Sequence, residues 1–171
     1  MNGTARYEGT NRMGKSRSAR WLPTWNVSGA WNAHEEKFFS NLTSVLSHFT
    51  LKASYSLTAD RGPADVTNSQ AIITSYSPYR PFTSILESVL YIKDLENSEL
   101  TYEKKHELNI GADMGFLNNR INLAVDWYKR NNYDLIGIVN TQGAGGQILK
   151  YANIASMKSH GIESVSYTHL R

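Results

Sequence analysis

The sequence contains no cysteine, which removes disulfide frameworks and thiolate metal sites from consideration. It has no run of about 18 apolar residues, the length that a membrane helix needs. Its opening residues, Met1-Asn2-Gly3-Thr4-Ala5-Arg6, lack the apolar core of a signal peptide. An export signal, if the protein is exported, would lie upstream of these residues. Charge of one sign is also scarce. The formal net charge of +3 is too small to argue for nucleic acid, and no base-stacking RNP motif accompanies it. Basic residues gather early, at Arg6, Arg12, Lys15, Arg17 and Arg20. They read as a solvated loop, with contact to anionic lipid headgroups as the sharper alternative. Apolar residues make up only 40% of the chain, while tyrosine and tryptophan are plentiful at 10 and 4. That mixture suits a sheet with one wet face and one greasy face.

Catalytic constellations are scarce too, and the sequence reads as a non-enzyme with no cofactor and no metal. His34-Glu35-Glu36 lacks the second histidine of a zincin motif. His106 and Glu107 would point to opposite faces of a strand, so they cannot act as a pair. Gly143-Ala144-Gly145-Gly146 lacks the Lys-Ser/Thr that a phosphate loop requires, and reads as a flexible connection. Three glycosylation sequons, at Asn2, Asn26 and Asn41, are short enough to occur by chance.

What the chain does carry is alternation. Between Trp21 and Ala33 the odd positions are almost all apolar and the even positions mostly polar, the period of a strand with two different faces. Phe49 to Asp60 repeats the pattern. Two further segments form a hairpin about Leu117-Asn118-Asn119-Arg120, whose asparagines tolerate the positive φ of a type I′ turn. That turn predicts the pairs Phe116–Ile121, Met114–Leu123, Ala112–Val125 and Ile110–Trp127, all apolar. On the other face it pairs Gly115 with Asn122, Asp113 with Ala124, Gly111 with Asp126, and Asn109 with Tyr128. A slip of one residue would mix the faces.

Between the first two strands, Phe38, Leu42, Val45 and Phe49 recur at helical spacing, which predicts a short amphipathic helix or a compact turn over 35–47. Long irregular connections are expected over 61–98 and 131–153, with a last strand beginning near Lys158. One end of the sheet therefore has compact turns and the other long loops, as in transmembrane barrels. The strands run roughly 10 to 13 residues, near the length that crosses a bilayer at a tilt. A soluble β-sandwich also alternates, but its strands are typically about 5–6 residues.

The stretch Arg20-Trp21-Leu22-Pro23-Thr24-Trp25 through Trp31, followed by Glu35-Glu36-Lys37-Phe38-Phe39, resembles a conserved-order region of SusC/RagA-family TonB-linked outer-membrane proteins. Leu100-Thr101-Tyr102-Glu103 through Asn109-Ile110-Gly111-Ala112-Asp113 resembles another strand of that family, with Tyr102 where tryptophan is usual. Phe116 to Ile121, Asp126-Trp127-Tyr128 and Asp134-Leu135-Ile136 resemble its next hairpin. Asn153-Ile154-Ala155 and Gly161-Ile162-Glu163 resemble its final motif, with Ala155 where glycine is usual.

The resemblance implies an all-β fold: an antiparallel transmembrane β-barrel fragment of about four to six strands from a larger barrel, with a short helix at one connection. It implies location in the bacterial outer membrane and import of glycans or oligopeptides. The implied partners are outer-membrane lipid, a SusD-like lipoprotein and the TonB complex, the last through an N-terminal plug and TonB box outside this sequence. Nucleic acid is not among them. Leu108, Ile110, Met114, Ile121, Leu123, Val125 and Trp127 are then expected to face lipid. Asn109, Asp113, Asn122 and Asp126 are expected to face the lumen. Tyr76, Tyr79, Arg80, Tyr91, Asn140 and Gln142, aromatic and polar groups of the long loops, are candidate substrate contacts. The alternative is an autonomous structural or adhesive β-sheet surface protein without transport activity.

Residues 1–163 are read as the partial barrel, and 164–171 separately. Ser-Val-Ser-Tyr-Thr-His-Leu-Arg breaks both the family pattern and the alternation. It matches the translation of a sequencing-adapter end and is expected to be non-native.

Overall fold

The computed structural model describes residues 1–63, 70–79, 81–82, 87–143 and 148–168. Six strands, β1 (Asn2–Gly9), β2 (Trp21–Asn32), β3 (Leu46–Asp60), β6 (Glu103–Phe116), β7 (Ile121–Asn140) and β8 (Leu149–Thr168), form one antiparallel sheet in that order. Two more, β4 (Ile72–Tyr76) and β5 (Val89–Asp94), make a separate hairpin inserted between β3 and β6. The meander is open, with β1 and β8 as its edges.

The hairpin register read from alternation is the register found. Phe116 pairs with Ile121, Met114 with Leu123, Ala112 with Val125 and Ile110 with Trp127. The turn has the expected chemistry and one residue more of it. Asn118 and Asn119 both adopt positive φ, at 59° and 61°, and the Arg120 amide donates to the Leu117 carbonyl. Leu117 itself lies at φ 52°, a left-handed conformation that branched residues rarely adopt. Its amide donates to the Val45 carbonyl and the Asn118 amide to the Ser47 hydroxyl. Those bonds tie this turn to the β2–β3 connection.

That connection is the compact turn and not an α-helix. Two 3-10 turns, Ala33–Glu35 and Lys37–Phe39, occupy it. The reason lies in its hydroxyls. Ser40 donates to the Lys37 carbonyl and Thr43 to the Ser40 carbonyl, side-chain bonds that compete with helical ones. Phe39 is buried and stacks on Phe49 at 6.3 Å. An α-helix does occur at another connection, one turn at Arg17–Arg20 capped by the Ser16 hydroxyl.

The second long connection is mostly strand. β7 continues to Asn140 and β8 begins at Leu149, so residues 131–140 and 149–153 of the span expected to be irregular are strand. Polar residues such as Lys129 and Asn131 replace the apolar row there, which hides the strand from any test of alternation. At 20 residues, β7 is about twice the 9–11 residues that a tilted strand needs to cross a bilayer. A bulge interrupts the pairing between Asn132 and Leu135, where Asp134 takes φ 58°.

β8 pairs to its described end, Ser164–Thr168 lying against Ile121–Val125. Backbone pairing of this kind is open to any sequence. The side chains do not follow the pattern: Ser164, Ser166 and Thr168 fall opposite Val125, Leu123 and Ile121, while Val165 and Tyr167 fall opposite Ala124 and Asn122. Polar and apolar faces are exchanged beyond Glu163.

The fold has little globular core. Met13, Leu100 and Tyr102 form the buried cluster, packed by Leu22, Ala59, Ile136 and Tyr151 at the long-loop end of the sheet. Burial raises the Tyr102 hydroxyl pKa above its usual value, partly offset by nearby Arg61. Elsewhere large apolar side chains stand open, Trp31 at 47%, Ile110 at 45% and Ile162 at 72% exposure. A soluble β-sandwich would cover that face with a second sheet, and no second sheet packs there among the described residues.

Candidate functional site: the polar wall and the loop hairpin

Cross-strand pairing sorts the sheet into two faces. One carries Trp25, Val27 and Trp31 of β2, Leu51 and Tyr55 of β3, Leu108 to Phe116 of β6 at alternate positions, and Ile121 to Trp127 of β7 likewise. Leu108, Ile110, Met114, Ile121, Leu123, Val125 and Trp127 therefore share this face, as the alternation required. Gly29 and Ala53 pair across β2–β3 and leave a shallow apolar trough of about 750 Å³, walled by Trp25, Trp31, Tyr55 and Ile110. An aromatic row crosses four strands at its long-loop edge. Trp25 meets Tyr55 at 5.2 Å, Tyr55 stacks on His106 at 5.6 Å, and His106 stacks on Tyr133 at 5.6 Å.

The opposite face is mostly polar, Leu22, Ala30 and Ala124 excepted, and Asn109, Asp113, Asn122 and Asp126 lie on it together. Asp113 pairs with Lys52 of the neighbouring strand. Asn122 donates to the Asn119 carbonyl, which holds the turn. Asn109 donates to Glu107 at 3.3 Å. Glu107 is the centre of the wall, accepting from Lys105 at 2.8 Å and Arg130 at 3.1 Å. The Arg130 guanidinium lies 4.7 Å from the centre of the Tyr128 ring, and that ring covers Gly161. Tyr128 and Arg130, with Lys52, Asn109, Asp126 and Glu163, line a concave surface of about 630 Å³. Glu107, Arg130, Lys105 and Lys52 did not stand out in the sequence. Their signal was there, since each sits at a polar-face position of the alternation, but pairing needed the register between strands.

Of the candidate loop contacts, Tyr76 and Tyr91 are brought together. They sit diagonally on the β4–β5 hairpin, rings edge to face at 5.3 Å, both about half exposed. Tyr79 follows, 90% exposed. Arg80 lies outside the described residues, as do Ala144 to Gly146 of the glycine-rich connection. Asn140 and Gln142 belong elsewhere, at the tip of the β7–β8 hairpin. There the Asn140 carboxamide oxygen accepts from the Gln142 amide at 2.9 Å, and Gln142 takes φ 55°.

The early basic residues are mostly engaged. Arg6 pairs with Glu8, Lys15 with Glu96 at 2.6 Å, and Arg20 donates to the Gly14 carbonyl at 2.7 Å. The His34 and His48 rings lie 4.4 Å apart at a 50° tilt, bonded to the Phe49 carbonyl and to the Thr50 hydroxyl. Among the described residues no cluster of three or more metal-ligating side chains occurs.

One anchor was not foreseen. The Asn153 carboxamide accepts from the Thr101 amide at 2.9 Å and donates both to the Thr101 carbonyl at 2.9 Å and to the Asp134 carbonyl. It therefore pins the connection before β6 to the β7 bulge. The Lys104 ammonium holds the Asp134 carboxylate at 2.6 Å on the same bulge.

Residues 1–168 match the family described as TonB dependent receptor-like, beta-barrel. The chain belongs to that family. It is 29% identical over 164 residues to TonB-dependent receptor SusC of Bacteroides thetaiotaomicron, covering 94% of this chain and 16% of the relative. It is 24% identical over 170 residues to TonB-dependent receptor P3 of Formosa agariphila, with 94% and 15% covered. In three dimensions it is similar to the RagAB peptide transporter, with a TM-score of 0.81 at 25% identity over 99% of this chain and 18% of that one. The RagAB peptide importer in its open-open state gives 0.80 at 26% identity. The chain thus spans about a sixth of the length of the curated relatives it matches. It is a partial SusC/RagA-type region of an outer-membrane β-barrel, and the open edges of its sheet accord with a piece of a larger wall.

Proposed function

We propose that this chain forms part of the barrel wall of a transporter that imports a bulky nutrient, a glycan or an oligopeptide, across the outer membrane. The observation that carries the reading is the two-faced sheet. Its apolar face is exposed and uncovered, while its ionic groups interlock on the other. In a barrel wall the first meets lipid and the second lines the lumen. Leu108, Ile110, Met114, Ile121, Leu123, Val125 and Trp127 are the lipid contacts in this reading, and Asn109, Asp113, Asn122 and Asp126 the lumen contacts. A SusD-like lipoprotein closes the long-loop end, and the TonB complex supplies energy through a part of the receptor outside this chain. The similarity to a peptide transporter supports the oligopeptide class.

Tyr76 and Tyr91 present aromatic surface suited to stacking on sugar rings or on peptide side chains. Tyr79, Asn140 and Gln142 supply further polar contacts, and Arg80, outside the described residues, stays a candidate on its side-chain chemistry alone. In a full-length receptor carrying this segment, Tyr76→Ala with Tyr91→Ala should weaken substrate binding at least fivefold, measured by calorimetry against oligosaccharide and oligopeptide panels. Unchanged affinity across both panels removes the tyrosine pair from the site.

Residues 164–171 are proposed to be non-native, on the exchange of polar and apolar faces after Glu163. Sequencing the source DNA through this end tests the point. An uninterrupted genuine frame through Arg171 refutes it.

A further inference from the structure

Charge on the six-stranded sheet is sorted by sign as well as by face. Every carboxylate at a paired position of that sheet lies on the polar face: Glu8, Asp60, Glu103, Glu107, Asp113, Asp126 and Glu163. At paired positions the apolar face carries cations alone, namely Lys104, Lys129 and Lys158, with His106 and His160 beside them. All of them sit at the long-loop edge of the apolar band. Lys104 is spent on Asp134. Lys129, Lys158 and His160 are exposed and make no hydrogen bond or ion pair among the described residues.

These three form a compact group. Lys129 faces His160 directly across β7–β8, and Asn131 faces Lys158 one row above. Directly opposed residues are about 5 Å apart and diagonal ones about 7–8 Å, so two flexible ammonium groups can converge on one phosphate. One row below, Trp127 faces Ile162, and Ile162 is 72% exposed. The surface therefore offers an anion site immediately above an open apolar strip, the layout of a lipid with an anionic headgroup and acyl chains. Isolated lysines at such a rim would serve as solvated tips of apolar stems. The two here share one patch with an imidazole and no carboxylate.

We propose that the outward face of β7–β8 binds a phosphate-bearing membrane lipid, with Lys129, Lys158 and His160 on the phosphate and Trp127 and Ile162 against an acyl chain. This rests on the apolar face being the lipid face. The test uses a full-length receptor carrying this segment, purified in detergent, and lipid A as the probe. Lys129→Ala with Lys158→Ala should weaken lipid A binding at least tenfold. The charge-matched pair Arg17→Ala with Lys37→Ala should leave it unchanged, and lipid A stripped of its phosphates should bind wild type and variant alike. Equal lipid A affinity in wild type and the Lys129/Lys158 variant overturns the proposal. So does full competition by equimolar inorganic phosphate, which would show a free-anion site. A bimane probe on Val125→Cys, quenched by brominated acyl chains in vesicles, separates the two readings. Quenching with unchanged lipid A affinity sinks the lipid site alone. Loss of quenching sinks the facing assignment beneath it.

Discussion

Replacing Val125 by arginine places a charge where the facing assignment says lipid lies. Val125 shares the apolar face with its partner Ala112 and with Leu51 one strand further. On β7 the apolar row runs from Ile121 to Trp127 before Lys129 ends it, so Val125 sits one residue from the centre of the row. On β6 the row from Leu108 to Phe116 is roughly 27 Å long along the strand. At a barrel tilt that becomes roughly 20 Å of height, close to the ~25 Å apolar band of such barrels. Near the midplane an outward arginine costs about 2–4 kcal/mol, which is about 30- to 900-fold in the folding equilibrium. Asn122 supplies the control. It lies on the polar face, and Asn122→Arg loses only its bond to the Asn119 carbonyl, worth about 1 kcal/mol. The assay is urea-induced unfolding of a full-length receptor carrying this segment in lipid vesicles, followed by heat-modifiable migration. Equal losses from Val125→Arg and Asn122→Arg refute the assignment of faces.

Three further outcomes follow from the geometry. Asn119→Val puts a β-branched residue at φ 61° and should cost about 1–2 kcal/mol, read as a lower urea midpoint, whereas Asn119→Gly should be near neutral. Asn153→Ala removes three hydrogen bonds that pin the segment before β6 to the β7 bulge. It should cost about 2 kcal/mol and raise hydrogen exchange at the Thr101 amide; unchanged exchange there counts against the anchor. Gly161→Val drives a side chain into the Tyr128 ring, whose atoms lie 2.7–2.9 Å from an added Cβ. It should cost about 1–3 kcal/mol and increase acrylamide quenching of Trp127 as β7 and β8 part.

The hairpin of β6 and β7 was legible because two local signals agreed. Asn118-Asn119 fixed a turn type, and the apolar row fixed the faces; only one register satisfies both. Where the apolar row stops, legibility stops. β7 beyond Tyr128 and the start of β8 carry Lys129, Asn131, Asn153 and similar residues, so a strand that runs past its apolar row resembles a loop. β1 was missed for a related reason. Its apolar-face positions are Gly3, Ala5, Tyr7 and Gly9; with Tyr7 alone large, they do not register as a hydrophobic pattern, although they pair fully with β2. The helix alternative over 35–47 failed because periodicity counts apolar spacing and ignores the serine and threonine hydroxyls that close short turns. The Glu107 network was invisible for a different reason. Lys105 and Glu107 are near neighbours in sequence, but Arg130 joins them only through the β6–β7 pairing.

The sign of the charges says more about the surroundings than the apolar row alone. A soluble sheet also keeps carboxylates off its covered face, so their absence from the apolar positions does not by itself separate a barrel wall from a sandwich. The cations do. A covered face would exclude lysine along its whole length, because a buried ammonium needs a partner. Here Lys129 and Lys158 stand on the apolar face at one edge only, where a long stem can lie on apolar surface while the ammonium reaches water and headgroups. Carboxylates, with shorter stems and the wrong sign for an anionic surface, gain nothing from that position. The arrangement supports the proposed lipid face, since it suits a medium that is apolar in the middle and anionic at one rim better than it suits a second protein sheet.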